Sequence, residues 1–367
     1  MLSETLRFIS NGVSLGVFFI AIGETNLQGG DNMEEIFYAT LTDFSTWILL
    51  VIIAISLYVL GKGADILVDE AVKLSIRWGI PKLVIGATIV SLGTTLPEVT
   101  VSVLAAIKGN PDLALGNAIG SIIANTALII GLAAIIGRLP ADKESVKRQG
   151  NIQILAAVVF TIMALPFFSK GETGIITQKM GFSLVILLII YIISSIQYAK
   201  NSNDEDSNGT NGEEQSAILT IFKMAIGMVL VIFSSKALIP AVEITAIRVG
   251  VPQSVIAATL VAFGTSLPEL VTAITAVRQG HGELAIGNII GADILNILFV
   301  TGCAAAVTKE GLMVPANFYI LEIPVMLIIL VLFNIFARNK DEIINKLEGL
   351  FLVGIYVIYL AINYIML

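Results

Sequence analysis

The sequence predicts an all-α integral membrane protein with ten transmembrane helices, built as two inverted five-helix repeats. Three observations carry that expectation. The 367-residue chain is 56% hydrophobic and only 13% charged, whereas a soluble domain carries about 25% charge. Its apolar residues fall into runs of about 20, the length that crosses a bilayer. A phrase in the first half, GTTLPE at 93–98, returns in the second as GTSLPE at 264–269.

The apolar runs place spans near 45–76, 81–108, 111–137, 151–168, 175–198, 217–247, 252–277, 283–307, 318–337 and 347–366. Ahead of them, 12–23 is too short for a full span. With Arg7 before it and Ala21 and Gly23 at its end it reads as a signal peptide, or as an eleventh, uncleaved helix. Residues 1–44 are therefore expected to form a signal peptide and an extracellular N-terminal segment. Lys and Arg concentrate in alternate loops: Lys73, Arg77 and Lys82; Arg138, Lys143, Lys147 and Arg148; Lys200; Arg278; Arg338, Lys340 and Lys346. The opposite loops hold only Lys108, Lys170, Lys179, Arg248 and Lys309. The richer set is expected in the cytoplasm, which leaves 24–43 and the C-terminus outside. With no organelle address in the sequence, a plasma membrane is expected.

Between the fifth and sixth spans lies NSNDEDSNGTNGEEQS, polar and acidic, at 201–216. It reads as a flexible cytoplasmic linker over 199–216, dividing a first repeat at 45–198 from a second at 217–367. One Cys and one His exclude a disulfide framework within the chain and a Cys/His zinc site. There is no basic face of the kind that binds nucleic acid. No nucleophile–base pair stands out, so an enzyme is not expected and no cofactor is implied.

Residues 86–131 align without gaps onto 257–302 at an offset of 171, with 19 of 46 positions identical. The matches include Gly93, Thr94, Pro97, Glu98, Gly116, Asn117, Gly120 and Asn125, opposite Gly264, Thr265, Pro268, Glu269, Gly287, Asn288, Gly291 and Asn296. Five spans separate equivalent helices. The second copy therefore enters the membrane from the other side, an architecture of secondary transporters whose site lies between the repeats.

Pro97 lacks an N–H and pushes the residue before it away from the α region. Helices 2 and 7 are therefore expected to break at the two phrases, freeing carbonyls near Ser91, Leu92 and Gly93. Such breaks persist at membrane depth only beside protein or a wet cavity. Around them gather two carboxylates, Glu98 and Glu269, the hydroxyls of Thr94, Thr95, Thr265, Ser266 and Ser121, and the amides of Asn125 and Asn296. Carboxylates with neutral oxygens, and no sulfur or imidazole, suit a hard cation such as Ca²⁺. Two bare carboxylates in low dielectric are costly, so Na⁺ or H⁺ must replace a departing dication. The glycines at 116, 120, 287 and 291 suit close helix packing, and Asn117 and Asn288 suit bridges between helices.

The paired GTTLPE…GNAIGSIIAN and GTSLPE…GNIIGADILN resemble the two α-repeats of the sodium/calcium exchanger family. The resemblance implies a ten-helix antiporter trading Ca²⁺ for Na⁺ by alternating access, with the first and sixth helices as a sliding pair. It implies that Glu98 and Glu269 are central carboxylates and that Thr94 and Thr265 are Ca²⁺ ligands. The carbonyls of Ser91 and Ala262 match backbone ligands, and Thr95, Ser266, Ser121, Asn125 and Asn296 match further polar positions around the ions.

The chain departs from the family at Ala292, where Ser is usual, and at Asp293. That aspartate is placed either to add a third carboxylate to the cavity or to pair between helices. Three other activities stay open on the residues alone: Ca²⁺/H⁺ exchange on the same fold, a channel, and an intramembrane hydrolase using the two glutamates as acid and base.

Overall fold

The computed structural model describes Tyr38 and residues 40–141, 143–168, 173–201, 217–250 and 264–366. The expected signal peptide, the linker beyond Asn201, the first half of the 252–277 span and Ala262 lie outside the described residues.

Among the described residues eleven longer helical stretches follow one another along the chain. α1 is Thr46–Trp78, α2 Lys82–Thr94, α3 Leu96–Ile107, α4 Pro111–Ile136, α5 Lys143–Ala164 and α6 Gln178–Asn201. The second half has α7 Ala217–Arg248, α8 Leu267–Arg278, α9 Gly282–Ala306, α10 Phe318–Phe336 and α11 Lys346–Met366. Local chemistry sets the ends. Ser45 caps α1 by accepting from the Ile48 N–H at 3.4 Å, and Gly79 ends it at φ 62°, the left-handed geometry that glycine adopts without penalty. Asn110 caps α4 through the Leu113 N–H at 3.0 Å, and Pro111 follows where a missing N–H costs nothing.

Among the described residues seven helices are long and apolar enough to cross a membrane, and the α2–α3 pair makes an eighth. α5 has the expected place but starts earlier, at Lys143, because the helix-forming run KESVKRQ carries it beyond its apolar part. The apolar stretches of α4 and α9 are 72% and 83% buried, against 28% for α1, α6 and α7. α4 and α9 are thus the central helices, while the others turn rows such as Ile186, Ile189, Ile190 and Ile193 outward. Exposed apolar surface on that scale belongs against lipid.

α1 and α7 lie against each other. Their backbones meet at Gly63 and Gly227: a Cβ on Gly227 would stand 2.9 Å from the Gly63 carbonyl oxygen. Four short strands tie the halves together. β1 (Leu139–Pro140), after α4, pairs with β4 (Ile343–Ile344), after α10. β2 (Ile175–Ile176), after α5, pairs with β3 (Leu312–Met313), after α9. Each half lends the strand after its third span to the strand after the other's fourth, as a two-fold relation between halves requires. The Lys-rich loops gather at one end. Lys82 Nζ lies 3.2 Å from His281 Nδ1, Gln279 donates to Asp65 at 3.4 Å, and Gly282 abuts the Arg138 carbonyl.

Candidate functional site

The first phrase does not unwind. α2 and α3 meet at Thr95 with a bend of 47°, and Thr95 keeps φ −82° and ψ −1°. The Thr95 N–H still reaches the Ser91 carbonyl at 2.9 Å, and the cap also serves the Gly93 carbonyl. The reason is local: Pro97 removes one N–H, and the N–H groups ahead of it remain to close the turn. The Ser91 carbonyl keeps a second lone pair and also accepts from Thr94 Oγ1 at 3.3 Å. Pro268 opens α8 as Pro97 opens α3, with Ser266 at the cap.

Wide π turns, which the sequence did not reveal, place the amides. They interrupt α2 at Gly86–Val90, α4 at Ala124–Ile129 and α9 at Asn296–Thr301. Asn125 and Asn296 therefore both sit in π turns, features that recur at functional positions because they turn side chains and carbonyls out of helical register. α2 reaches α9 closely because Gly287 and Gly291 lack side chains: a Cβ at either would meet the backbone of Leu83 or Ala87.

Glu98, Glu269, Ser91, Thr94, Thr95, Ser121, Asn125, Ser266, Asn296 and Asp293 are all buried, each at 2% exposure or less; Thr265 is half-buried. The repeats clasp each other through equivalent bonds. Thr94 Oγ1 donates to Asn288 Oδ1 at 3.4 Å, and Thr265 Oγ1 donates to Asn117 Oδ1 at 3.0 Å. Thr95 Oγ1 donates to Glu269 Oε1 at 3.4 Å. Ser121 Oγ lies 3.5 Å from Thr265 Oγ1. Asn117 Nδ2 also holds α3, through the Glu98 carbonyl at 3.1 Å and Ser102 Oγ at 2.9 Å.

Several buried oxygens in this group accept no hydrogen bond: both carboxylate oxygens of Glu98, Glu269 Oε2, Asn125 Oδ1 and Asn296 Oδ1. Such acceptors are costly unless a donor or cation meets them. Glu98 and Glu269 also act on each other electrostatically, and a cation between like charges relieves that repulsion. Among the described residues no three His, Cys, Asp or Glu side chains gather as metal ligands.

Asp293 acts electrostatically on Glu269 and is tied by hydrogen bonds to the neighbouring helices. It accepts from Asn125 Nδ2 at 3.2 Å, Thr126 Oγ1 at 2.5 Å and Gln153 Nε2 at 2.7 Å, joining α9 to α4 and α5. Sequence reasoning passed over Thr126 and Gln153. Their one signal was polarity inside an apolar helix, and the partner that gives it meaning lies 140 residues or more away.

Comparison with known proteins agrees with this architecture. The family model for the sodium/calcium exchanger protein matches residues 48–197 and 219–365. Inner membrane protein YrbG of Escherichia coli is 31% identical over 320 residues, covering 85% of this chain and 96% of that protein. Sodium/calcium exchanger MaX1 of Methanosarcina acetivorans is 31% identical over 344 residues, covering 85% and 97%. The solved structure of the sodium-calcium exchanger NCX_Mj, soaked with Na⁺ and Sr²⁺, superposes with a TM-score of 0.72 at 26% identity, over 86% of this chain and 99% of that one. The chain belongs to the sodium/calcium exchanger protein family and shares the membrane-exchanger fold of NCX_Mj.

Proposed function

We propose that the protein is a secondary antiporter exchanging Ca²⁺ for Na⁺ across a plasma membrane, with both ions using the site between Glu98 and Glu269. The observation that carries the reading is the set of buried oxygens without donors on Glu98, Glu269, Asn125 and Asn296. Two carboxylates balance a dication, and the neutral oxygens of Asn125, Asn296, Thr94 and Thr265 complete a hard-cation coordination set. The carbonyls of Ser91 and Ala262 supply backbone oxygens, and Thr95, Ser266 and Ser121 line the Na⁺ and central positions. A relative bearing the name sodium/calcium exchanger supports the choice of ions.

Exchange follows from charge. With the dication gone, two carboxylates remain in low dielectric, and the empty site is too costly to cross the membrane bare. Na⁺ must enter before the protein can change the side it faces. α1 and α7, in contact at Gly63 and Gly227, form the pair that moves against the α4–α9 centre. Ten spans in two inverted repeats, a cytoplasmic acidic linker and an extracellular C-terminus complete the account.

Proteoliposome flux tests the reading. ⁴⁵Ca²⁺ uptake should follow an outward Na⁺ gradient and should not follow a pH gradient without Na⁺. Uptake driven by pH alone would assign the protein to proton-coupled exchange. Uptake needing no counter-ion would assign it to a channel.

A further inference from the structure

Resting on the cation reading of the Glu98–Glu269 site, we propose that Asp293 is a positioning residue. It turns the Asn125 amide so that the oxygen, and not the NH₂, faces the transported cation. A one-way relay of amides running from Arg338 fixes that choice.

The two ends of a chain of side chains set its polarity. Arg338 can only donate, and Asp293 accepts from Asn125, Thr126 and Gln153. Between them stand two amides, each of which could point either way. Arg338 Nη2 donates to Asn334 Oδ1 at 2.8 Å. Asn334 Nδ2 donates to Gln153 Oε1 at 3.3 Å. Gln153 Nε2 donates to Asp293 Oδ2 at 2.7 Å. Turning either amide over would set NH₂ against NH₂ or oxygen against oxygen, so the guanidinium and the carboxylate together dictate both. Asn334 is 4% exposed, and Gln153, Asp293, Thr126 and Asn125 are fully buried, so the bonds among these five are shielded from bulk solvent. Arg338 is held in turn by Asn151 Oδ1 at 2.7 Å.

Asp293 passes the polarity on. Its Oδ2 takes Gln153 and Thr126, and its Oδ1 takes Asn125 Nδ2 at 3.2 Å. Because Asp293 Oδ1 accepts there, the Asn125 NH₂ faces it. Asn125 Oδ1 is then left buried without a donor, on the central helix that carries the ion site. The equivalent of Asp293 in the first repeat is Ile122, so the device acts on one half alone.

A definite prediction follows for an isosteric change. In Asp293→Asn the relay still delivers NH₂ groups from Gln153 and a hydroxyl from Thr126, so the new amide must turn its oxygen to them. Its NH₂ then faces Asn125, draws the Asn125 oxygen back, and leaves an NH₂ pointing at the cation. Adding Asn125→Asp removes the problem, because a carboxylate presents an oxygen whichever way it turns, and it can accept from the new NH₂.

The test is equilibrium binding of ⁴⁵Ca²⁺ and ²²Na⁺ to the purified full-length protein in detergent. Asp293→Asn should weaken binding by about tenfold or more, a change of about 1.4 kcal/mol. The Asp293→Asn/Asn125→Asp double variant should recover most of it. Unchanged affinity in the single variant would overturn the proposal, as would equal loss in single and double variants. A wild-type protein that binds ²²Na⁺ but no ⁴⁵Ca²⁺ would strike the Ca²⁺ reading alone, and the relay would then be judged on ²²Na⁺. Binding of neither ion would overturn both.

Discussion

Replacing Glu98 by Gln should abolish exchange while leaving an ion-free protein at least as stable as the wild type. Glu98 is fully buried, and neither of its carboxylate oxygens has a hydrogen-bond donor. Gln keeps the volume and one oxygen but removes one of the two charges that balance a dication. Removing one partner of a buried charge pair costs about 3–5 kcal/mol, or about two to four orders of magnitude in affinity. Thermal stability reads this directly. At a Ca²⁺ concentration of about 100 times the wild-type Kd, binding stabilises the protein by about 2.7 kcal/mol. A variant whose Kd has risen about hundredfold gains only about 0.4 kcal/mol at that concentration. Without ions the sign reverses, because Glu98→Gln removes the repulsion between Glu98 and Glu269. The assay is thermal unfolding of purified protein with and without Ca²⁺. A wild-type Ca²⁺ response in Glu98→Gln would refute the placement of the ion.

Three further outcomes are expected. Asn296→Leu removes a buried oxygen with no donor, and should weaken ⁴⁵Ca²⁺ binding by about tenfold with little change in ion-free stability. Gly287→Ala forces a Cβ onto the Leu83 backbone, a clash that packing relieves at about 1–3 kcal/mol or more. Its melting temperature should fall, whereas Gly61→Ala, with no described atom within 4 Å of its Cβ, should not destabilise. His281, in the loop before α9, is held below the ordinary imidazole range by partial burial and by the Lys82 ammonium. The unfolded chain takes up that proton near pH 6.5 and the folded protein only at lower pH. Stability should therefore fall as pH drops below about 6.5, and His281→Gln should flatten the decline in thermal melts.

The parts of this molecule that were legible in the sequence are those that chemistry marks locally. An intramembrane Glu after Gly, Thr and Pro is conspicuous, and its repetition at 171 residues pointed to both halves of the proposed site. Across 93–97, where a break was expected, the helix bends by 47° at Thr95, because one N–H is missing while those ahead of Pro97 still close the turn. The π turns at Asn125 and Asn296 have no residue signature, because they arise where helices must stay in register with neighbours on two sides. The bonds to Asp293 were illegible for a different reason. They join α9 to α4 and α5, and no local pattern tells a buried Gln which distant carboxylate it will meet.

The central claim is that one buried carboxylate pair couples Ca²⁺ movement to Na⁺ movement. Its most direct test is ⁴⁵Ca²⁺ uptake into proteoliposomes loaded with Na⁺, run beside the same vesicles holding Glu98→Gln or Glu269→Gln protein. Uptake should appear in the wild type, vanish when the Na⁺ gradient is collapsed, and be absent in both variants. Uptake that survives collapse of the gradient, or that persists in either variant, would contradict the account.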